Sequence, residues 1–254
     1  MASKRPVVLA SGEAQELASG DSLLVPTVTF ENGSEQYGAA NSPTAEYFWD
    51  FPCGSDGGNY TAGTITGGTF PAVTNAEEAG AFGCVGISCG TSANSGAYWS
   101  PSSNGSTFRL VNGDVCKIRL QVSNGRIATS KVRLGIQAAF NTSDETHEVS
   151  FVINAGVVTG RCRNASSETS TATMLTVTGD LWYGYEIKYT TTSVEFNVYS
   201  ATGSFLATAT VTTNIPSNTA KRPGVIATSS GTTAGRLCLI DYIYVKTAVT
   251  DRFF

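Results

Sequence analysis

The residues best suited to ligand chemistry in this sequence are aromatic side chains beside amides or carboxylates. Tyr98 and Trp99 stand in a Gly/Ser-rich stretch near Asn104, and Trp182 and Tyr183 follow Asp180. Such rings pack on the apolar face of a sugar, and nearby polar groups bind its hydroxyls. We take these residues as the candidate glycan-binding set, with a core-filling role as the alternative for each ring: Tyr98, Trp99, Asn104, Trp182 and Tyr183.

Five basic residues make a second candidate surface. Lys117 and Arg119 alternate with apolar residues, as do Lys131 and Arg133, and Arg126 lies at the turn between the two runs. Because side chains at i and i+2 share a strand face, adjacent strands would gather these charges into one patch. Such a patch suits a partner protein or an acidic glycan, and the alternative is a solvated outer face.

Catalytic and metal-binding patterns are missing from the sequence. Retaining glycoside hydrolysis needs two carboxyl groups about 5 Å apart, but Glu186, Glu195 and Asp241 have no second acid at i+2 or i+4. His147 is the only histidine and is not part of a metal signature. The sequence therefore predicts a protein that is not an enzyme, with no catalytic residue, no metal and no cofactor.

The elements that must position these residues are β-strands. Apolar residues alternate with polar ones over 117–122, 131–136 and 183–211, which is the period of a half-buried strand. Asn112-Gly113 and Asn124-Gly125 punctuate the runs, and Asn-Gly is a strong hairpin signal. Charged residues make up only 14%, and Gly numbers 27. Strands at this spacing predict an antiparallel all-β sandwich or barrel.

The chain divides into four segments. Residues 1–30 read as a strand, a turn at Ser11-Gly12, a polar strand and a turn at Gly20-Asp21; residues 31–45 read as a linker. The main domain is predicted over 46–247, with a C-terminal tail at 248–254. The net charge of −4 argues against nucleic acid as a partner, and no apolar run is long enough for a membrane span. The six cysteines are predicted to be mainly small core residues.

Three stretches of the chain carry a resemblance to a known family: Glu78–Trp99, Val194–Tyr199 with its continuation through Pro216, and Leu239–Val245. They resemble the concanavalin A-like (laminin G-like) jelly rolls of phage proteins. The resemblance spans residues 46–247. It implies a jelly-roll sandwich behind a short extended N-terminal arm, and it implies little about chemistry because many functions share this fold.

The N-terminal segment contains three short motifs, Lys4–Leu9, Gln15–Leu17 and Gly20–Leu23. Together they resemble the arm of phage tail-fibre and virion surface proteins. In that family the arm fastens a module to the particle and homotrimers are common. The resemblance implies a virion structural protein, a fibre or a capsid or tail decoration, made in the host bacterial cytoplasm and bound to other virion proteins. The alternative is an adhesion module for host glycans, and a glycoside hydrolase is less favoured. The residues of the implied attachment segment are Lys4, Arg5, Pro6, Gln15, Glu16, Leu17, Gly20, Asp21 and Leu23.

Overall fold

The structure is a computed structural model that describes residues 7–10, 13–16, 44–50, 61–65, 73–74, 84–100, 108–138, 140, 146–216 and 220–248. Within these ranges the chain forms nineteen β-strands and one turn of 3-10 helix at Asn124–Arg126. The strands are β1 (Val7–Ala10), β2 (Glu13–Glu16), β3 (Thr44–Asp50), β4 (Thr61–Ile65), β5 (Val73–Thr74), β6 (Cys84–Cys89), β7 (Ser95–Ser100), β8 (Phe108–Arg109), β9 (Val115–Val122), β10 (Ser130–Gln137), β11 (His147–Asn154), β12 (Val157–Asn164), β13 (Ser167–Ser170), β14 (Leu175–Thr176), β15 (Trp182–Tyr189), β16 (Val194–Ser200), β17 (Phe205–Val211), β18 (Ala220–Ser229) and β19 (Gly235–Ala248).

Two antiparallel sheets form the sandwich. Among the described residues, the strand order of sheet I is β13-β12-β11-β10-β18-β7-β4, with β14 beside β12 and β8 beside β18. Sheet II has the described order β17-β16-β15-β9-β19-β6-β5, with β3 beside β19. The predicted all-β antiparallel sandwich is therefore confirmed. No helix among the described residues is long and apolar enough to cross a membrane.

The core lies between the two sheets. Phe151 of sheet I meets Tyr185 and Phe196 of sheet II edge to face, with ring centroids 5.2 and 5.1 Å apart. All three are buried, and edge-to-face packing adds to the energy of burying these large rings. The alternation predicted for β9, β10, β15 and β16 is confirmed, because the apolar residue of each pair points into this core.

Five cysteines lie buried in the interior, which confirms their predicted role as small core residues. They are Cys84, Cys89, Cys116, Cys162 and Cys238. Burial raises the pKa of Cys116, Cys162 and Cys238 to about 12. A thiol with such a pKa is almost entirely protonated at neutral pH and is a poor nucleophile. Cys53 lies outside the described residues.

The chain crosses from one sheet to the other between β9 and β10. Asn124-Gly125 does not form a hairpin but begins the 3-10 turn, and Gly125 lacks the positive φ that a two-residue type I′ hairpin requires. The backbone N–H of Asn124 donates to the Asp180 carboxylate at 3.0 Å, and Arg126 Nη2 donates to the Ala234 carbonyl at 2.6 Å. These bonds fix the crossing, so β9 and β10 belong to different sheets.

A β-bulge between β16 and β17 reverses the direction in which Phe205, the first residue of β17, points. The register of β16 against β17 shifts between Val198 and Tyr199, and Phe205 then pairs with Tyr199. The sequence pattern predicted that Phe205 shares a face with Ala207 and Ala209. This prediction is wrong, because the extra residue turns Phe205 outward, where it is 57% exposed and packs against Tyr199.

The N-terminal strands form a sheet of their own. β1 and β2 pair antiparallel, with Ala10 opposite Glu13. The strand and the polar strand expected for this segment are therefore present as a two-stranded pair. The residues of the predicted turn between them, Ser11 and Gly12, lie outside the described residues.

Candidate functional site

The outer face of sheet II carries aromatic and charged side chains in rows that run across the strands. One row joins Phe48, Tyr244 and Lys117 as successive cross-strand partners. It continues from Lys117 to Glu186 and then to Asn197. Alternation along each strand places these residues on the solvent side and their apolar neighbours in the core. The face therefore presents a continuous strip of rings and polar groups from β3 to β16.

A groove of about 420 Å³ opens on this face where β3, β19, β9 and β15 adjoin. Phe48 and Tyr242 pack against each other at its edge, with ring centroids 5.4 Å apart. Phe48 is 44% exposed, so its ring remains open to a ligand. The groove combines three rings, one aliphatic side chain, two cations and one carboxylate: Phe48, Tyr242, Tyr244, Val115, Lys117, Lys246 and Glu186.

Charges on this face balance in pairs. Four cations each contact an acid, and these pairs are Lys117–Glu186 at 3.0 Å, Arg119–Asp241 at 2.5 Å, Lys188–Glu195 at 2.9 Å and Lys246–Glu46 at 3.0 Å. Most of these side chains are partly exposed, so the pairs contribute little to stability. Their effect is to offer many donors and acceptors without a strong net field, which suits an uncharged polyhydroxylated ligand better than a polyanion.

Glu186 is the hub of this polar network. Its carboxylate accepts bonds from Tyr199 Oη at 2.9 Å and Asn197 Nδ2 at 3.1 Å, in addition to its contact with Lys117. Burial alone would raise the pKa of Glu186, but the bonds from Lys117, Tyr199 and Asn197 outweigh it and lower the pKa below its ordinary value. Glu186 is thus a fixed anion that orients its neighbours.

Tyr244 is a hydrogen-bond donor at neutral pH. Burial, with the nearby Glu46 carboxylate, raises the pKa of Tyr244 to about 12. Its phenol therefore keeps its proton under all physiological conditions. In the groove the ring can pack on an apolar surface while the hydroxyl binds a polar group, the dual character that places tyrosine at recognition sites.

A carboxylate pair that sequence spacing did not reveal is present across β15 and β16. Asn197 Nδ2 donates to Glu186 at 3.1 Å and to Glu195 at 2.6 Å, so the two acids flank one amide. A hydrolase of this type needs one acid with a raised pKa as proton donor. Bonds from Asn197 and Lys188 lower the pKa of Glu195, and the pKa of Glu186 is also lowered. Neither acid is suited to donate a proton at neutral pH.

Comparison with known proteins identifies the family. The profile described as "SO2946-like, C-terminal domain" matches residues 80–241. The chain belongs to this family. A crystal structure of SO2946 from Shewanella oneidensis MR-1, described as a protein of unknown function, shares the fold with a TM-score of 0.66 and 18% identity, covering 93% of this chain and 100% of that one.

Other solved structures show that this SO2946-like fold is the lectin-like jelly roll. The CBM2 module of the Lactobacillus casei BL23 phage J-1 evolved Dit has a TM-score of 0.55 and 12% identity, covering 83% of this chain and 98% of that one. Lectin I from Ulex europaeus, in complex with the methyl glycoside of α-L-fucose, has a TM-score of 0.51 and 10% identity, covering 81% and 99%. A search of curated protein sequences found no match. The predicted concanavalin A-like jelly roll is confirmed, whereas the predicted phage origin is not established by the family match.

The aromatic residues chosen from the sequence do not form one site in this SO2946-like protein. Trp99 lies in the core of the sandwich at 3% exposure, and Tyr98, also on β7 rather than in a loop, stacks on Phe140 on the outer side of sheet I. Trp182 is buried on the outer side of sheet II beneath Arg119, whose guanidinium lies 5.2 Å from the ring centroid.

Tyr183 points the opposite way from Trp182, because the two are consecutive on one strand. It packs against the main core and its hydroxyl accepts the backbone N–H of Thr178 at 3.1 Å. Asn104 lies outside the described residues. Trp99 therefore fills the core, as its alternative role predicted. The structure does not bring these rings together, and glycan binding by Tyr98, Trp182 or Tyr183 stays a prediction.

The structure does not gather the predicted basic residues on a single surface. Lys117 and Arg119 lie on sheet II, whereas Lys131 and Arg133 lie on β10 in sheet I, so the sandwich separates them. The cause is the crossing turn, where Arg126 bonds a backbone carbonyl. Arg133 is buried and reaches Glu148 at 3.5 Å. Lys117 and Arg119 nevertheless belong to the face that carries the groove.

The implied attachment residues fall mainly outside the described part of the chain. Gln15 and Glu16 lie on β2, where the backbone alone is described. The others are outside the described residues: Lys4, Arg5, Pro6, Leu17, Gly20, Asp21 and Leu23.

Sequence reasoning missed the groove, although part of its signal was available. Tyr242 and Tyr244 alternate with Ile243 and Val245, so period two alone places both rings on one face. The groove also depends on Phe48, which is distant in sequence and reaches Tyr242 only through the pairing of β3 with β19.

The described residues contain no cluster of His, Cys, Asp and Glu that could hold a metal ion.

Proposed function

We propose that this protein is a non-catalytic carbohydrate-binding module that holds a neutral glycan in the groove of sheet II. The observation that carries the proposal is the combination of one exposed ring, two half-buried rings and balanced charges in one depression. A pyranose has apolar C–H faces that pack on aromatic rings and hydroxyls that exchange hydrogen bonds with charged groups. The groove supplies both kinds of contact, with Phe48, Tyr242 and Tyr244 beside Lys117 and Glu186.

The structural neighbours support this function through their fold. They include a phage CBM2 module and a plant lectin in complex with a fucose glycoside. A third is the exoplasmic domain of VIP36 in a Ca²⁺- and Man2-bound form, with a TM-score of 0.54 and 7% identity, covering 82% of this chain and 89% of that one. At these identities each neighbour supports a carbohydrate-binding scaffold and not a particular sugar.

The test is binding of the purified protein to a printed glycan array, followed by titration of any bound glycan. We expect Tyr244→Ala and Phe48→Ala each to weaken binding by about two- to tenfold, the effect of losing one ring contact. Leu181→Ala is the matched control, because Leu181 is 51% exposed, immediately precedes β15 and does not line the groove. Equal binding by all three variants would show that the groove is not the site.

Absence of catalysis is part of this proposal. The lowered pKa values of Glu186 and Glu195 leave no proton donor among these two acids. We expect no release of reducing ends when the protein is incubated with the polysaccharide that it binds. Hydrolysis that is lost in Glu186→Gln would instead assign a glycosidase.

We propose secondarily that the module is a virion component anchored by its N-terminal arm, residues 1–30. The separate β1–β2 pair supports an arm that is structurally distinct from the sandwich, and the phage Dit neighbour supports a virion context. In this proposal the arm binds other virion proteins of a fibre or of the capsid or tail surface. The protein assembles as a homotrimer and is made in the host bacterial cytoplasm.

Light scattering tests the arm directly. The full-length protein is compared with a variant that lacks residues 1–30. We expect a trimer for the former and a folded monomer for the latter. Two monomers would contradict the role of the arm in assembly, but would leave glycan binding by the groove unaffected.

A further inference from the structure

A second aromatic pair lies on the same outer face, at the opposite edge of sheet II. Tyr199 and Phe205 meet edge to face with ring centroids 5.9 Å apart. Phe205 is 57% exposed. Neither residue lines the groove. The face thus has a ring pair at each end, with Phe48 and Tyr242 at one edge and Tyr199 and Phe205 at the other, and the phenylalanine of each pair is exposed.

A gap in the side-chain layer lies between the two pairs. Cross-strand partners run from Tyr242 through Arg119 to Gly184, and from Gly184 to Tyr199. Gly184 has no side chain, and a Cβ placed there would meet only Tyr199, at 3.5 Å. The row of side chains is therefore lowest at Gly184, between the Arg119 guanidinium and the Tyr199 ring. A ligand lying along the row can approach the sheet most closely at this point.

Polar groups border Gly184 on its groove side. Glu186 is two residues from Gly184 on the same face, and it accepts the Tyr199 hydroxyl at 2.9 Å. Asn197 is bonded to the same carboxylate. These fixed donors and acceptors connect the groove with the Tyr199–Phe205 pair without an intervening apolar barrier.

We propose that this face binds an extended oligosaccharide laid across the strands, with the groove as one subsite and the Gly184–Tyr199–Phe205 region as a second. This inference rests on the proposed function. Three strand spacings separate Tyr242 from Tyr199, which is roughly 14 Å. One monosaccharide cannot touch both ring pairs, whereas a chain of several sugars can. The ligand class is therefore the interior of a neutral polysaccharide and not a terminal sugar.

The experiment uses an array printed with neutral glycans graded in length from monosaccharide to octasaccharide. For wild-type protein we expect the signal to rise with length until both ring pairs are spanned. Phe205→Ala and Gly184→Val are expected to weaken binding of the long members by about two- to tenfold, and to leave the short members unchanged. The Cβ of Gly184→Val finds only ordinary contact distances, and valine favours a strand. Circular dichroism of the variant checks that it keeps the wild-type fold, and Phe205→Ala tests the subsite independently.

The outcomes separate this inference from the proposed function. Length-independent binding that Tyr244→Ala weakens and Phe205→Ala leaves intact would overturn the second subsite while supporting the groove. Failure of every printed glycan to bind would overturn both. Loss of a concentration-dependent dimer in Phe205→Ala, with glycan binding intact, would assign the exposed ring to self-association and would also overturn the second subsite.

Discussion

Glu148 contacts two buried arginines on the outer side of sheet I. Replacing it with glutamine removes its charge with little change of shape. Its side chain is 0% exposed, and that of Arg161 is 5% exposed. Arg161 Nε and Nη2 contact Glu148 Oε1 at 2.9 and 2.6 Å, and Arg133 Nη1 reaches Oε2 at 3.5 Å. Ser150 Oγ donates to the same carboxylate. In Glu148→Gln this buried anion is absent.

The expected cost follows from burial. Taking one partner from a buried ion pair leaves a charge that is neither hydrated nor neutralised, and this destabilises proteins by about 3–5 kcal/mol. For a domain of this size each kcal/mol lowers Tm by about 2–4 °C, so we expect a decrease of roughly 6–20 °C. Arg161 also lies 3.6 Å from Glu168, which favours the lower part of this range.

Thermal unfolding followed by circular dichroism measures the effect, and Glu168→Gln is the matched control. Glu168 contacts Arg163 at 3.4 Å, but its side chain is 37% exposed. The same chemical change there should cost at most about 1 kcal/mol. If both variants melt at the same temperature, the buried Glu148 anion does not control the stability of this layer, and the reasoning is refuted.

Three further predictions concern packing, thiol chemistry and pH. Gly160→Ala places a Cβ 2.5 Å from the Phe196 ring, so it should destabilise the protein by about 1–3 kcal/mol in urea unfolding, whereas Gly125→Ala, with open space around it, should be neutral. Thiol-labelling mass spectrometry at pH 8 should find three buried cysteines unmodified until denaturant is added, and labelling in the native state would contradict their pKa values of about 12: Cys116, Cys162 and Cys238. Because the native pKa of Glu186 is lowered, its stabilising contribution is present above the unfolded pKa of about 4.3 and disappears as pH falls through the native value. The Tm difference between wild type and Glu186→Gln should therefore be largest at neutral pH and vanish in strong acid, and a constant difference would contradict this assignment.

Strand positions could be predicted from the sequence because period two is a local signal. β15 and β16 have their apolar residues on the face predicted for them, since one buried face imposes the alternation. Sheet membership could not be predicted in this way. Asn124-Gly125 has the composition of a hairpin, yet the Asp180 carboxylate, which is distant in sequence, holds it in a turn between sheets. At this turn the hydrogen bond to Asp180 overrides the local preference of Asn-Gly for a hairpin.

The site was less accessible to prediction for a related reason. Residues that are adjacent in sequence need not lie on one surface. Tyr98 and Trp99 are consecutive and lie near polar residues in the sequence, yet Trp99 is buried in the core. The groove instead joins Phe48 to Tyr242 across nearly two hundred positions, through a strand pairing that only the fold specifies. The bulge that exposes Phe205 has Leu206 as its extra residue. Two consecutive apolar residues, Phe205 and Leu206, break the alternation, but they do not specify which of the two faces the core.

The pairing of β3 with β19 has a mechanical consequence. Thr44, the first residue of β3, lies opposite Ala248, the last residue of β19. The segments on either side of the sandwich therefore leave it from one corner. Tension applied between these two segments would break the hydrogen bonds between β3 and β19 one residue pair at a time. The break would start at Thr44 and reach Phe48 four residues later. A module tethered here would release one wall of its groove under load before the rest of the sandwich yields.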